Sequence, residues 1–204
     1  GKILDDPSIG AISTDMLGRG EGLDFATMKL YANGTIHSVG YKGYNYQRIG
    51  INGEFRNQVF NGKIDAKDPN LTMNFNGLAD LSGRNNKFDF QADIAIADLH
   101  ALRFMEMDSV SQFCGKVVID ISGNQLDDIV GKISFKHTNY INSAGSFTFK
   151  DFEVVSTLNN GVKEIAINSP DIVSGNVRGK FKLAELKKVM QNAVGSIYAQ
   201  YNPY

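Results

Sequence analysis

Apolar and polar residues alternate almost without a break from Arg48 to Asp80. Ile49, Ile51 and Phe55 alternate with polar neighbours, and the same period continues through the later part of the run. A period of two is typical of a strand that has one apolar face and one solvated face. The pattern therefore predicts an all-β chain.

The apolar positions change between odd and even numbers from one strand pattern to the next. They are odd at 49–55, even at 60–66, odd at 71–81, even at 88–96 and odd again at 113–121. With short links between strands, this switching lets every strand turn its apolar side to the same face. We therefore expect an elongated antiparallel meander.

Glycine-containing pairs punctuate the strand patterns, in keeping with 21 glycines and only 4 prolines in 204 residues. Asn33-Gly34 and 159–161 suit the positive φ angles of a tight hairpin turn. We expect three further pairs to be turns or bulges that set the strand register, and Gly18 to Gly22 to form a bend or bulge. The three further pairs are Asn52-Gly53, Asn61-Gly62 and Asn76-Gly77.

The end of the chain has a different period. From Leu186 to Tyr201 apolar residues recur every three or four positions, which is typical of a helix with one apolar stripe. We predict strands and turns over residues 1–182 and one amphipathic helix over 183–199, all within a single segment, 1–204.

The sequence contains no recognisable catalytic or metal-binding motif. The three histidines, His37, His100 and His137, are far apart and lack metal-ligand spacing. A formal net charge of −1 gives no bulk attraction to nucleic acid. We therefore expect no enzymatic activity, no cofactor and no metal, and a jelly-roll enzyme would require acidic or histidine residues on the apolar face.

Several stretches resemble the TamB proteins of Bacteroidota, which are relatives of the AsmA-like bridge proteins. The similar segments cover most of the chain and are structural repeats, not catalytic signatures. They are 45–47 with 52–57 (NYQ and NGEFRN), 60–64 (FNGKI), 68–71 with 75–81 (DPNL and FNGLADL), 97–102 (ADLHAL), 168–172 (NSPDI) with Gly175 and 179–181 (GKF), and 195–198 (GSIY).

The resemblance implies properties that the residues alone do not show. Members of this family are long periplasmic proteins anchored in the inner membrane, and their strands curl into a long open groove with an apolar lining, called a β-taco. They are thought to carry phospholipid toward the outer membrane with an outer-membrane partner of the Omp85 type. The chain would then be an internal or C-terminal-half segment, with the membrane anchor and the rest of the polypeptide outside it.

On this hypothesis the chain is a periplasmic segment of a translocation and assembly module, and thirteen apolar residues line its groove. The alternative is a closed β-sandwich that buries the same residues and acts as a structural or interaction module in outer-membrane protein assembly. Alternation alone does not separate the two. The predicted lining residues are Ile49, Ile51, Phe55, Phe60, Ile64, Leu71, Met73, Phe75, Phe88, Phe90, Ile94, Val117 and Ile119.

Overall fold

The computed structural model describes residues 9–22, 26–83, 85–105, 108–125 and 127–182. They form eleven β-strands in one sheet, in which each strand pairs antiparallel with the strand before and after it in sequence. The strands are β1 (Ile9–Glu21), β2 (Lys29–Tyr41), β3 (Tyr44–Arg56), β4 (Val59–Asp68), β5 (Leu71–Asp80), β6 (Lys87–Asp98), β7 (Ser111–Ser122), β8 (Val130–Asn142), β9 (Gly145–Asn159), β10 (Val162–Asn168) and β11 (Ser174–Gly179).

The predicted all-β meander is confirmed, and the sheet is open because β1 and β11 do not pair with each other. All eleven strands belong to this one sheet, so the described residues do not form the closed sandwich considered above. The predicted helix over 183–199 lies outside the described residues. Residues 147–149 and 152–158, which the sequence divides into two strand patterns, are parts of the single strand β9.

Asn33-Gly34 is not a hairpin turn, which corrects the sequence prediction. It lies in the middle of β2, where Asn33 pairs with Leu17 and Asn52, and Gly34 with Met16 and Ile51. The other three Asn-Gly pairs also lie inside strands, and none of the four coincides with a register shift. Gly18 and Gly20 are likewise regularly paired members of β1.

Three tight turns at other positions carry the positive φ angles that are typical of two-residue hairpins. These are Lys42-Gly43 (φ 48° and 80°), Asn57-Gln58 (48° and 67°) and Asn160-Gly161 (51° and 74°). Only the last of these was expected from the sequence. Asn-Gly pairs inside the strands serve another purpose, because their glycines let neighbouring strands approach closely.

Two strand residues with positive φ change which side of the sheet their strand presents. Arg48 (φ 53°) lies in β3, and His137 (φ 49°) lies in β8. On one side of Arg48 the half-buried positions are Tyr44 and Tyr46, and on the other they are the odd-numbered residues from Ile49. The break in alternation turns both tyrosines toward the apolar face, where the Tyr44 hydroxyl bonds to Asp68.

The described residues contain very little closed hydrophobic core. Only five apolar side chains among them are buried, and four of these are alanines: Ala32, Ala66, Ala92, Ala97 and Leu102. Larger apolar side chains on the strands stay at least partly accessible. This distribution is what a single-layer sheet produces when no second layer covers its apolar face.

Candidate functional site

The candidate site is the apolar face of the sheet, which pairing between strands organises into rows. Opposite residues in adjacent antiparallel strands point to the same side, so a chain of paired residues is a line of side chains running across the sheet. Three neighbouring rows make up most of the face. The two longest run perpendicular to the strands over about 48 Å, for ten interstrand spacings of about 4.8 Å each.

We name the three rows by their position or content. The rim row lies nearest the turn at Asn57-Gln58, the glycine row lies beside it, and the central row follows. The rim row is Gly20, Leu30, Phe55, Phe60, Ala79, Phe88, Ile121, Gly131, Ser156, Ile165 and Val177. The glycine row is Gly18, Ala32, Gly53, Gly62, Gly77, Phe90, Ile119, Ile133, Val154, Ile167 and Gly175. The central row is Met16, Gly34, Ile51, Ile64, Phe75, Ala92, Val117, Phe135 and Phe152.

None of the three rows contains a charged side chain, and Ser156 supplies their one polar side chain. The rim and glycine rows cross all eleven strands, and the central row crosses β1 to β9. A continuous apolar surface of this length is unusual on a soluble protein, where exposed apolar patches are normally small. Large exposed apolar patches are common at interaction sites, so this face is the candidate site.

All thirteen residues predicted to line the groove lie on this face. Nine belong to the three rows, and Ile49, Met73 and Ile94 belong to the next row, in which Ile49 pairs with Ala66 and Met73 with Ile94. Leu71, which pairs with Ala97, follows beyond them. All thirteen are neither fully buried nor fully exposed. Their role in lipid binding stays a prediction, whereas their common face is established.

Aromatic rings form two clusters on the apolar face. Phe75 lies 4.9 Å from Phe90 and 6.5 Å from Phe60, measured between ring centroids. In the second cluster Phe135 lies 6.2 Å from Phe113 and 6.2 Å from Phe152. All four centroid distances fall in the range of favourable aromatic pairs. The rings give the face a firm apolar surface that does not depend on a covering layer.

The glycine row brings backbones together in the middle of the sheet. Gly53, Gly62 and Gly77 are directly opposite one another in β3, β4 and β5. A Cβ on Gly62 would lie 2.6 Å from the Cα of Gly53 and 3.0 Å from Cζ of Phe60, closer than real side chains come. The ring of Phe60 therefore lies over the two glycines and covers the backbone that they leave bare.

The opposite face is polar and carries both signs of charge. Ion pairs on it include Lys116–Asp93 (3.7 Å), Lys132–Glu153 (3.2 Å) and Arg56–Glu54 (3.2 Å). These pairs are largely exposed, so each contributes little to stability. The polar face is therefore a solvated surface. The apolar face is the one whose side chains would gain from being covered.

Residues 98–105, which we call the strap, cover one end of the apolar face. The Tyr46 hydroxyl donates to the carbonyl of Leu102 at 3.4 Å, and Leu102 is only 2 % exposed. Tyr46 is in β3, whereas the strap leaves the sheet at the end of β6. The sequence does not predict that the strap lies over the face, because loop placement depends on contacts that are distant in sequence.

Sequence reasoning also missed the lining residues of the second half of the sheet. Phe135 and Phe152 continue the central row, and Ile133, Val154 and Ile167 continue the glycine row. Apolar and polar residues alternate in these strands too. The apolar ones were left out of the predicted lining because His137 interrupts the period of β8 and because the sequence of β9 resembles two short strands.

Polar groups meet at the same end of the face as the strap. Burial, and next the hydrogen bond to Asp68, raise the pKa of Tyr44 to about 12. Burial and the nearby charge of Asp68 also raise the pKa of Tyr46. Both tyrosines are therefore neutral hydrogen-bond donors at ordinary pH. His100 Nδ1 and Thr138 Oγ1 are buried without a hydrogen-bond partner.

Within the described ranges, no group of three or more His, Cys, Asp or Glu side chains is placed to hold a metal ion. Nor does any helix in that part of the chain have the length and apolar character needed to cross a membrane. No protein-family model, no curated protein and no solved structure matches the chain. The resemblance to TamB therefore stays a prediction, and the function must be argued from the apolar face.

Proposed function

We propose that the chain is a segment of a periplasmic bridge protein whose apolar face is a groove for the acyl chains of phospholipids. The observation that carries the proposal is the set of three uncharged rows. They run side by side across the sheet, and their large side chains stay partly accessible instead of closing into a core. A surface of this kind offers a continuous path for a hydrocarbon chain.

The energetic advantage of such a path is large. Roughly fifteen methylenes of an acyl chain, at about 0.8 kcal/mol each, cost on the order of 12 kcal/mol to expose to water. A groove that keeps apolar atoms against the chain removes most of this barrier at every step. It needs no specific contacts, since the hydrophobic effect is not directional.

The regular register of the sheet supports this role. A slip of one residue would turn the apolar side chains of a strand to the solvated face and interrupt all three rows. The pairing from β2 to β5 runs without a register shift through Gly53, Gly62 and Gly77. Steric fit between Gly53, Gly62 and the ring of Phe60 helps to hold that register.

The cellular setting of the proposal comes from the TamB resemblance. It comprises a periplasmic location, an inner-membrane anchor outside this chain, movement of phospholipid between the membranes, and an Omp85-type partner in the outer membrane. A groove without headgroup-specific sites is compatible with transport of several phospholipids.

The test is lipid crosslinking in the full-length protein. A photoreactive amino acid at Phe90 should label phospholipid, and Phe75→Asp or Ile119→Asp should reduce the labelling at least tenfold by placing a charge in the central or glycine row. Asn74→Asp is the matched control, because it adds the same charge to the same strand on the solvated face. Unchanged labelling in the Phe75→Asp protein would show that the groove is not the lipid site.

A structural or interaction module is the second candidate, and the two edge strands favour it. β1 and β11 each pair on one side only within the described residues, so each offers unpaired backbone groups to another strand. The alternatives differ in what the purified protein carries. Native mass spectrometry should find co-purified phospholipid if the face is a groove, and none if the sheet serves only as a scaffold.

A further inference from the structure

The strap is a compact turn that is held together mainly by its own hydrogen bonds. Leu102 N–H donates to the Asp98 carbonyl at 3.0 Å, and Phe104 N–H donates to the Leu99 carbonyl at 2.8 Å. Ala101 N–H donates to Oδ1 of Asp98 at 2.9 Å. At its base, Leu99 N–H donates to the Ser111 carbonyl at 2.7 Å. These bonds can persist if the strap moves as a unit.

At its base the strap is also tied by Asp98 N–H, which donates to the Asn70 carbonyl at 2.9 Å. Beyond this base, the bonds from the strap to the apolar face are longer. Tyr46 of β3 donates to Leu102 O at 3.4 Å. The sulfur of Met105 accepts from the Ser111 hydroxyl at 3.4 Å and from the Tyr140 hydroxyl of β8 at 3.8 Å. Sulfur is a weak acceptor, and 3.4 Å is beyond the usual range for an O–H donor. The strap is therefore held against β3 and β8 mainly by apolar contact.

Leu102 is the most buried residue of the strap. Its side chain is 2 % exposed, whereas the long apolar side chains of the predicted lining are all partly accessible. Ala97, next to the strap, and Ala66 are also buried, at 3 % and 0 % exposure. At this end of the face, a leucine from a loop thus provides the cover that the rows lack elsewhere.

We propose that the strap is a displaceable cover and that Leu102 occupies the position of an acyl chain, which a lipid takes when the strap moves aside. The inference rests on the proposed function, since it needs an acyl chain on the apolar face. Replacing Leu102 by an acyl chain has a small net free-energy cost, because the incoming hydrocarbon restores the apolar contact that Leu102 loses. The lining next to the strap, Leu71 and Phe113 in the row of Ala97, is continuous with the three rows.

The chain contains no tryptophan, so single introduced tryptophans report on chosen positions without background. Tyr46→Trp places the reporter beneath the strap, and Phe88→Trp places it in the rim row. Tyr31→Trp is the control, because Tyr31 is 51 % exposed and bonds to Asn52 on the solvated face. The probe is phosphatidylcholine vesicles with dibrominated acyl chains, whose bromine atoms quench tryptophan on contact.

We expect quenching of the Phe88→Trp and Tyr46→Trp proteins and none of the Tyr31→Trp protein. Adding Leu102→Ala to Tyr46→Trp should lower the lipid concentration for half-maximal quenching severalfold, because the competing side chain is gone. If Leu102→Ala fails to fold, the Tyr46→Trp protein with Leu102 intact still decides the question.

Quenching at Phe88→Trp without quenching at Tyr46→Trp would overturn the displaceable strap and leave the groove standing. Absence of quenching at both positions would overturn the groove as well as the strap. Quenching of Tyr31→Trp to the same extent would show general adhesion to vesicles, which contradicts both proposals.

Discussion

The hydroxyl of Tyr44 donates a hydrogen bond to Oδ1 of Asp68 at 2.5 Å and so ties β3 to the end of β4. Asp68 is 2 % exposed, and its carboxylate also accepts the backbone N–H groups of Gln47 and Asn70, each at 2.8 Å. A buried carboxylate is tolerated only when such donors surround it. The pair therefore fixes the end of the apolar face that the strap covers.

We predict that Tyr44→Phe lowers the free energy of unfolding by about 1–3 kcal/mol, because it removes one donor from a buried carboxylate. Urea denaturation at neutral pH measures the change. Tyr31→Phe is the control, since its hydroxyl is on an exposed residue, and it should change stability by less than about 0.5 kcal/mol. Equal effects of the two variants would contradict a special role for the Asp68 bond.

The same bond predicts a loss of stability at high pH. The pKa of Tyr44 is about 12 in the folded protein and about 10 in an unfolded chain. A raised pKa means that the contribution is fully present below pH 10 and is lost as the pH rises toward 12. The stability of the wild type should therefore fall more steeply over this interval than that of Tyr44→Phe, as followed by urea denaturation at each pH.

Position 62 is predicted to be too crowded for even a methyl group. In Gly62→Ala the Cβ would meet Gly53 Cα at 2.6 Å and the Asn52 carbonyl oxygen at 2.7 Å. Since backbone atoms must move, we expect a loss of about 1–3 kcal/mol. Gly175→Ala is the matched control in the same row, because nothing lies within 4 Å of its Cβ position. Thermal unfolding that is equal for both would argue against close strand approach.

Gln58 is predicted to be strained by its backbone conformation. Its φ is 67°, in the second position of the turn Asn57-Gln58. Gln58→Gly should raise stability by about 1 kcal/mol, because glycine adopts this conformation without the penalty of a Cβ. Gly43→Ala is the reverse test at φ 80°, where no atom lies within 4 Å, and it should lower the melting temperature.

A photoreactive residue at Phe135 is predicted to label phospholipid. Phe135 belongs to the central row, whereas its neighbour Lys136 is exposed and pairs with Asp151. The same photoreactive residue at position 136 should give little labelling. Mass spectrometry of the crosslinked products measures both, and equal labelling would mean that the second half of the sheet does not form the groove.

Much of the fold could be predicted because side-chain alternation is a local property. From Ile49 to Ile121 the period of two and its switches assigned thirteen residues to one face, and all thirteen lie there. The turns were harder. Asn33-Gly34 has the composition of a hairpin turn but lies inside β2, since the same flexibility also serves close backbone approach.

The sequence by itself determined the all-β class, the meander order and the existence of a shared apolar face, because each depends on neighbours along the chain. Only the tertiary structure decided that this face remains open over eleven strands, and that Leu102 covers one end of it. Whether a face is covered depends on what lies above it. The alternating sequence pattern is the same whether a second sheet, a strap or a bound hydrocarbon chain covers the strand, because all three bury the same side chains.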